Sequence, residues 1–162
     1  MSGVRTAALE VLERAGVTYE LRAFEQVERT AGEAAAKVGW PLEQTFKTLL
    51  ARAVPEPGGR GGAYFLACLP GDARLSLKKA ARLLGLKRAE MAPEADLRRL
   101  TGYVRGACSP LGSRRPLPLL VDERALLYGR IMVSAGARGL QLLLDPRDLV
   151  RLTGATVADL VE

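Results

Sequence analysis

The twelve residues Thr101–Gly112, TGYVRGACSPLG, concentrate the groups from which a reactive or binding site could be built. Three glycines, a Ser-Pro turn, one tyrosine, one arginine and one of the chain's two cysteines fall within them. Glycines at this density let a backbone approach a ligand closely or turn through positive φ. Gly102, Gly106 and Gly112 therefore mark places where main chain rather than side chain can meet a partner. Arg114 and Arg115 follow at once and put the loop in positive potential. The alternative is an ordinary glycine-punctuated connection between a helix and a strand.

The rest of the composition narrows the chemistry. The chain has no histidine, which excludes His-based triads, His-ligated zinc and the usual near-neutral base. Two lone cysteines, Cys68 and Cys108, make neither a metal site nor a required disulfide, so no metal and no cofactor are expected. Catalysis must then use lysine, carboxylates, hydroxyls, backbone groups or the substrate itself. Lys47 stands out among these. It lies between Phe46 and Leu49 in an apolar run, where its ammonium must reach either water or an anion.

Charge points to an anionic partner. The net +6 is uneven: residues 1–60 balance, whereas 74–115 hold eleven basic and three acidic side chains. A basic segment beside a glycine loop makes nucleic acid the first candidate, with a merely solvated basic surface as the other reading. At 5% aromatic content, base stacking would be limited to Tyr103 and one or two others. No apolar run reaches the length of a membrane span and no signal core is evident, so a cytoplasmic protein without a membrane partner is expected.

These residues need elements to position them. At 162 residues with 48% hydrophobic content, the chain reads as one domain, 1–162, with a real core. Periodicity predicts a helix over 3–15 closed by Gly16, and a half-buried strand over Val17–Phe24. A capping box at Thr30–Glu33 opens a short helix to Val38. Thr45–Val54 and Gly62–Leu69 read as strands joined by the flexible loop PEPGGRGG. Ser76 caps a helix, LKKAARLLG, with Lys78, Lys79 and Arg82 on its outer face, and Pro93–Leu100 forms another. Apolar segments follow at Leu117–Val121, Arg130–Ser134 and Leu140–Leu144. Asp145-Pro146 starts a last helix, ending near Gly154, after which the final residues pack or fray. Paired strands with small helices favour an α+β domain over a doubly wound sheet.

Read together, Phe46–Leu50 (FKTLL), Ser76–Gly85 (SLKKAARLLG), Glu90-Met91-Ala92, TGY…SPLG and Val133–Leu140 (VSAGARGL) resemble the YbaK-type aminoacyl-tRNA deacylases. These are free-standing relatives of the editing domain of bacterial prolyl-tRNA synthetases, and the similarity runs nearly end to end. The resemblance implies a mixed, barrel-like β core surrounded by short helices. It implies hydrolytic removal of a mischarged amino acid from tRNA, most characteristically cysteine from tRNA(Pro), and extending to tRNA(Cys). Alanine as substrate, or a tRNA- or synthetase-binding module without catalysis, are the rival expectations.

By the same resemblance, Lys47 and Gly106 are the catalytic pair, the lysine meeting ribose or phosphate oxygens and the Gly106 backbone polarising the ester carbonyl. Phe24, Thr30, Tyr103, Ser134, Gly136 and Arg138 are expected to bind substrate. Lys78, Lys79, Arg82, Arg114 and Arg115 are expected to contact tRNA. With no histidine base, the attacking group would come from the substrate: its own thiol, or a water assisted by a ribose hydroxyl. The family pattern has an apolar residue at Cys108, which is therefore expected to be structural. Departures fall at Phe24, at 26–29 and at Thr30, which bear on amino-acid specificity. The expected partners are the acceptor end of aminoacyl-tRNA and, transiently, prolyl-tRNA synthetase.

Overall fold

The computed structural model describes residues 5–23, 40–58 and 62–162. Helix α1 (Ala7–Ala15) begins where the Thr6 hydroxyl accepts the Leu9 N–H, and ends at Gly16 in the left-handed conformation. Strand β1 (Tyr19–Ala23) follows. A 3-10 turn at Leu42–Gln44 leads into β2 (Phe46–Ala53), which is paired antiparallel with β3 (Tyr64–Pro70). Ser76 and Gly85 cap α2 (Leu77–Leu84) as the sequence predicts. Then come β4 (Ala89–Met91), α3 (Glu94–Thr101) and the glycine loop. Beyond it lie β5 (Leu119–Asp122), a 3-10 turn at Glu123–Leu127, β6 (Ile131–Ala137) and β7 (Leu140–Leu144). Helix α4 (Pro146–Thr153), with Asp145 as its cap, and β8 (Thr156–Ala158) complete the order.

The strands form two sheets, a mixed one ordered β4-β2-β3-β5-β8 and an antiparallel one ordered β1-β7-β6. A single parallel bridge between Thr45 and Met132 joins them, so among the described residues they meet along a seam and do not close into a barrel. The α+β expectation holds, with two sheets joined along one seam in place of a closed barrel.

The large sheet is buried on both faces, and the alternation along β2 sorts side chains between two cores. Phe46 and Leu50 join Leu66, Cys68 and Val121 on one face, against the small sheet, α1 and the glycine loop. Ala51, with Phe65, Ala67, Leu69 and Leu120, faces the other way, against α2 and the C-terminal residues Leu160 and Val161. Buried Asp122 ties that end down by accepting the N–H groups of Arg124 and Leu160, each at 2.9 Å. The last residues are therefore an edge strand and its anchor. The short helix expected after Thr30 lies outside the described residues.

Candidate functional site

The site is built on the first face of the large sheet, where α3 hands the chain to the glycine loop. Gly102 ends α3 in the left-handed conformation and Gly106 has φ +85°, a value that an L side chain adopts only with strain. Gly106 and Arg105 border a groove of about 370 Å³ whose other walls are Thr48, Leu49 and Leu50 of β2, Met91–Glu94, Leu97 and Cys108. Most of that lining is apolar, and Gly106 itself is exposed.

Two contacts from the β6–β7 hairpin fix the loop from behind. Arg138 donates from Nε and Nη2 to the Arg105 carbonyl, at 3.3 and 3.2 Å. A planar trans peptide points its N–H opposite its C=O, so holding the Arg105 carbonyl also sets the direction of the Gly106 N–H. Among the described residues that N–H has no hydrogen-bond acceptor. Ser134 then donates to the Ala107 carbonyl at 2.9 Å while its oxygen accepts the Gly136 N–H at 3.1 Å. One hydroxyl thus ties the second glycine turn to the first.

Behind these contacts stands Tyr103, only 5% exposed, its hydroxyl donated to the Leu111 carbonyl. Burial raises its pKa and keeps the phenol protonated. Gly136 makes room for it: with φ +101°, a Cβ there would lie 2.8 Å from a Tyr103 ring carbon and 3.2 Å from the Thr6 Cβ. Thr6 also donates to the Ala135 carbonyl at 2.6 Å, joining α1 to the same hairpin.

Several expected residues take different places. Tyr103, Ser134, Gly136 and Arg138 are brought together as supports of the loop. The Tyr103 and Ser134 hydroxyls are committed to carbonyls of the protein, and Arg138 gives its Nε and Nη2 to the Arg105 carbonyl. Lys47 does not line the Gly106 groove. Its neighbour Thr48 does, and strand alternation turns Lys47 to the opposite face. There its ammonium donates to the carbonyls of Gly71 (3.3 Å) and Ala73 (2.7 Å). Desolvation lowers its pKa, while the fields of Asp72 and Arg74 act in opposite senses. Its described hydrogen-bond partners are neutral, so the charge is not cancelled by an ion pair. Phe24 and Thr30 lie outside the described residues.

The expected tRNA contacts also divide. Lys78 and Arg82 are exposed on α2, and Arg114 and Arg115 are exposed after the loop. Lys79 is engaged instead: its ammonium donates to Asp159 at 2.7 Å and to the Val161 carbonyl at 2.6 Å. It clasps the C-terminus to α2.

Thr48 was not foreseen. It is 8% exposed, and its hydroxyl oxygen is buried without a hydrogen-bond partner among the described residues. Cys68, opposite it in the β2–β3 ladder, is its polar neighbour, and a thiol is a weak one. The signal was its place beside Lys47 in an alternating strand, which puts one of the two on each face. Cys108 lines the groove, but burial pushes its thiol up to about 12, leaving it protonated and non-nucleophilic at neutral pH. That agrees with a structural role. Among the described residues no cluster of potential metal ligands exists.

Gly106 and Arg105 thus edge a small, mainly apolar groove. Comparison with known proteins identifies the family. A model of the aminoacyl-tRNA editing domain matches residues 25–152. An Enterococcus faecalis protein, EbsC, provisionally named a Cys-tRNA(Pro)/Cys-tRNA(Cys) deacylase, is 35% identical over 96% of this chain and 93% of its own. The proline–tRNA ligase of Methylobacillus flagellatus is 28% identical over 70% of this chain, which corresponds to only 19% of that enzyme. A crystal structure described provisionally as a trans-editing enzyme for prolyl-tRNA synthetase superposes with TM-score 0.81 at 32% identity, covering 99% of both chains. The hypothetical protein APE2540 superposes with TM-score 0.85 at 29% identity, over 97% of this chain and 100% of that one. The chain belongs to the aminoacyl-tRNA editing domain family.

Proposed function

We propose that this protein is a trans-editing deacylase that removes cysteine mischarged on tRNA(Pro), and cysteine on tRNA(Cys) as a second substrate. The observation that carries the reading is the end-to-end 35% identity to EbsC. The groove supports it: the amino-acid side chain rests on Leu50, Ala92 and Leu97, and the ester carbonyl accepts the Gly106 N–H. A main-chain donor aimed where negative charge develops stabilises the tetrahedral intermediate without a side-chain acid.

With no histidine in the chain, the substrate supplies the attacking group. The cysteine sulfur attacks its own ester carbon, forming a C–S bond as the bond from that carbon to the ribose oxygen breaks. The thiol proton goes to the departing ribose oxygen, and water later opens the thiolactone to free cysteine. The protein contributes chiefly by holding sulfur and carbonyl in contact. Lys47, its charge held only by neutral carbonyls, is kept as the partner of the terminal phosphate, approached from the far face of β2. A transient complex with prolyl-tRNA synthetase would supply the tRNA.

Single-turnover deacylation of Cys-tRNA(Pro), Ala-tRNA(Pro) and Pro-tRNA(Pro) tests this. Cysteine should leave fastest and proline not at all. Faster loss of alanine would assign the groove to the smaller side chain and rule out thiol attack. Loss of none would leave a binding module.

A further inference from the structure

A second groove, of about 810 Å³, runs between α2 and β4 on the opposite face of the large sheet. Lys78, Arg82, Lys87 and Arg88 line it above an apolar floor that includes Leu77 and Ala81. Lys78 and Arg82 are four residues apart and stack on one side of α2. Neither they nor Arg88 pair with a described carboxylate. Lys87 has only a distant surface contact, 3.6 Å to Glu56. Glu90, the one acid in the lining, is neutralised by the Arg52 guanidinium at 2.7 Å. Four cations thus face a groove without an effective counter-charge.

Its position gives this meaning. Ala89 and Glu90 close the basic groove, and the next two residues, Met91 and Ala92, wall the Gly106 groove. Three-residue β4 is the whole partition, and consecutive Cα atoms are about 3.8 Å apart. Met91, at the crest, is 44% exposed. A bare apolar side chain between a carbonyl-binding groove and a cationic one suits a strand that is apolar on its bases and anionic on its backbone. We infer that the single-stranded 3′ end of the tRNA crosses β4 over Met91, with its phosphates in the α2–β4 groove held by Lys78, Arg82 and Arg88. This rests on the deacylase reading for the identity of the RNA. It reassigns the tRNA contact expected of Lys79, whose ammonium is tied to Asp159.

Each phosphate neutralised on a single strand contributes about −0.7 to the slope of log K against log salt. The test is fluorescence anisotropy of an uncharged RNA hairpin with a single-stranded CCA-3′ end, from 50 to 200 mM salt. The Lys78→Ala/Arg82→Ala double variant should flatten the slope by about 1.4 and weaken binding about 25-fold at 0.1 M salt. Arg147→Ala/Arg151→Ala, which removes two cations paired with Asp145 and Asp148 outside the groove, is the control for net charge. An unchanged slope in the double variant, or an equal change in the control, would overturn the proposal. Wild-type turnover of cysteine esterified to a CCA trinucleotide tests the deacylase reading separately. If that ester is cleaved while the slope stays fixed, the docking path alone falls; if it is not cleaved, the reading falls and the slope still judges the groove.

Discussion

Ser134→Ala isolates the tie between the two glycine turns. The hydroxyl makes two hydrogen bonds, 2.9 Å to the Ala107 carbonyl and 3.1 Å from the Gly136 N–H. Each is worth about 0.5–1.5 kcal/mol net, so their loss should cost about 1–3 kcal/mol. For a domain of this size that lowers Tm by about 4–8 °C at the middle of the range. The catalytic effect should be larger than the structural one. With Ala107 released, the preceding Gly106 N–H drifts from the carbonyl, and losing one such donor costs about 10²–10³-fold in rate. Single-turnover deacylation of Cys-tRNA(Pro) at 25 °C, well below the transition, should show that fall in the maximal rate. The concentration for half-saturation should barely move, because the apolar walls of the groove are untouched. Loss of stability with an unchanged rate would refute the argument, since the loop would then hold its own shape. Loss of activity with unchanged stability would refute it differently, by making Ser134 a group that meets the substrate.

Other expectations follow from the same geometry. Lys47→Met should cut deacylation of Cys-tRNA(Pro) at least tenfold and destabilise the fold by about 1–2 kcal/mol through the lost contacts to Gly71 and Ala73. Unchanged turnover would reduce Lys47 to a strut for the β3–α2 turn. Burial pushes the thiols of Cys68 and Cys108 up to about 12, above the ordinary value of about 8.5. Iodoacetamide at pH 8 should therefore alkylate neither at a measurable rate in the native state, some three orders of magnitude slower than after unfolding. Because these pKa values are raised on folding, stability should hold below about pH 8.5 and decline as pH rises toward 12, where the unfolded thiols ionise and the native ones do not. Cys108→Ala should remain active, and an inactive but folded variant would show that the thiol contributes to the groove.

Elements with strong local signals were legible in the sequence. Ser76, Asp145-Pro146 and the glycines at 16, 85 and 154 marked helix ends because capping is decided within a few residues. Strands β4 and β8 were not legible, since three residues carry no period and are fixed only by partners far away, Ala51–Ala53 for one and Leu120–Asp122 for the other. Gly106 borders the groove, as the glycine density of its loop allows. The contacts of Ser134 and Arg138 to the loop carbonyls were not legible, because a hydroxyl between two turns reads the same in sequence as a hydroxyl toward a ligand. Lys47 shows the limit most clearly. Its adjacency to Thr48 was visible, but which of two faces held the groove was set by α3 and the loop, some fifty residues later.

The span of the contacts around the glycine loop has a kinetic consequence. Thr6 bonds Ala135 across 129 residues, and β1 pairs with β7 from Tyr19–Leu144 to Ala23–Leu140. Neither end of the groove's support is local, and the large sheet depends on parallel pairing of β3 with β5 and β5 with β8. Loop closure must be completed before such contacts repay it, so folding should be slow for the chain's size. During synthesis β1 has no strand partner until β7 has emerged. A chain stopped short of Ser134 therefore lacks both contacts that hold the Gly106 loop, and a half-made copy has no assembled site with which to cleave an ester.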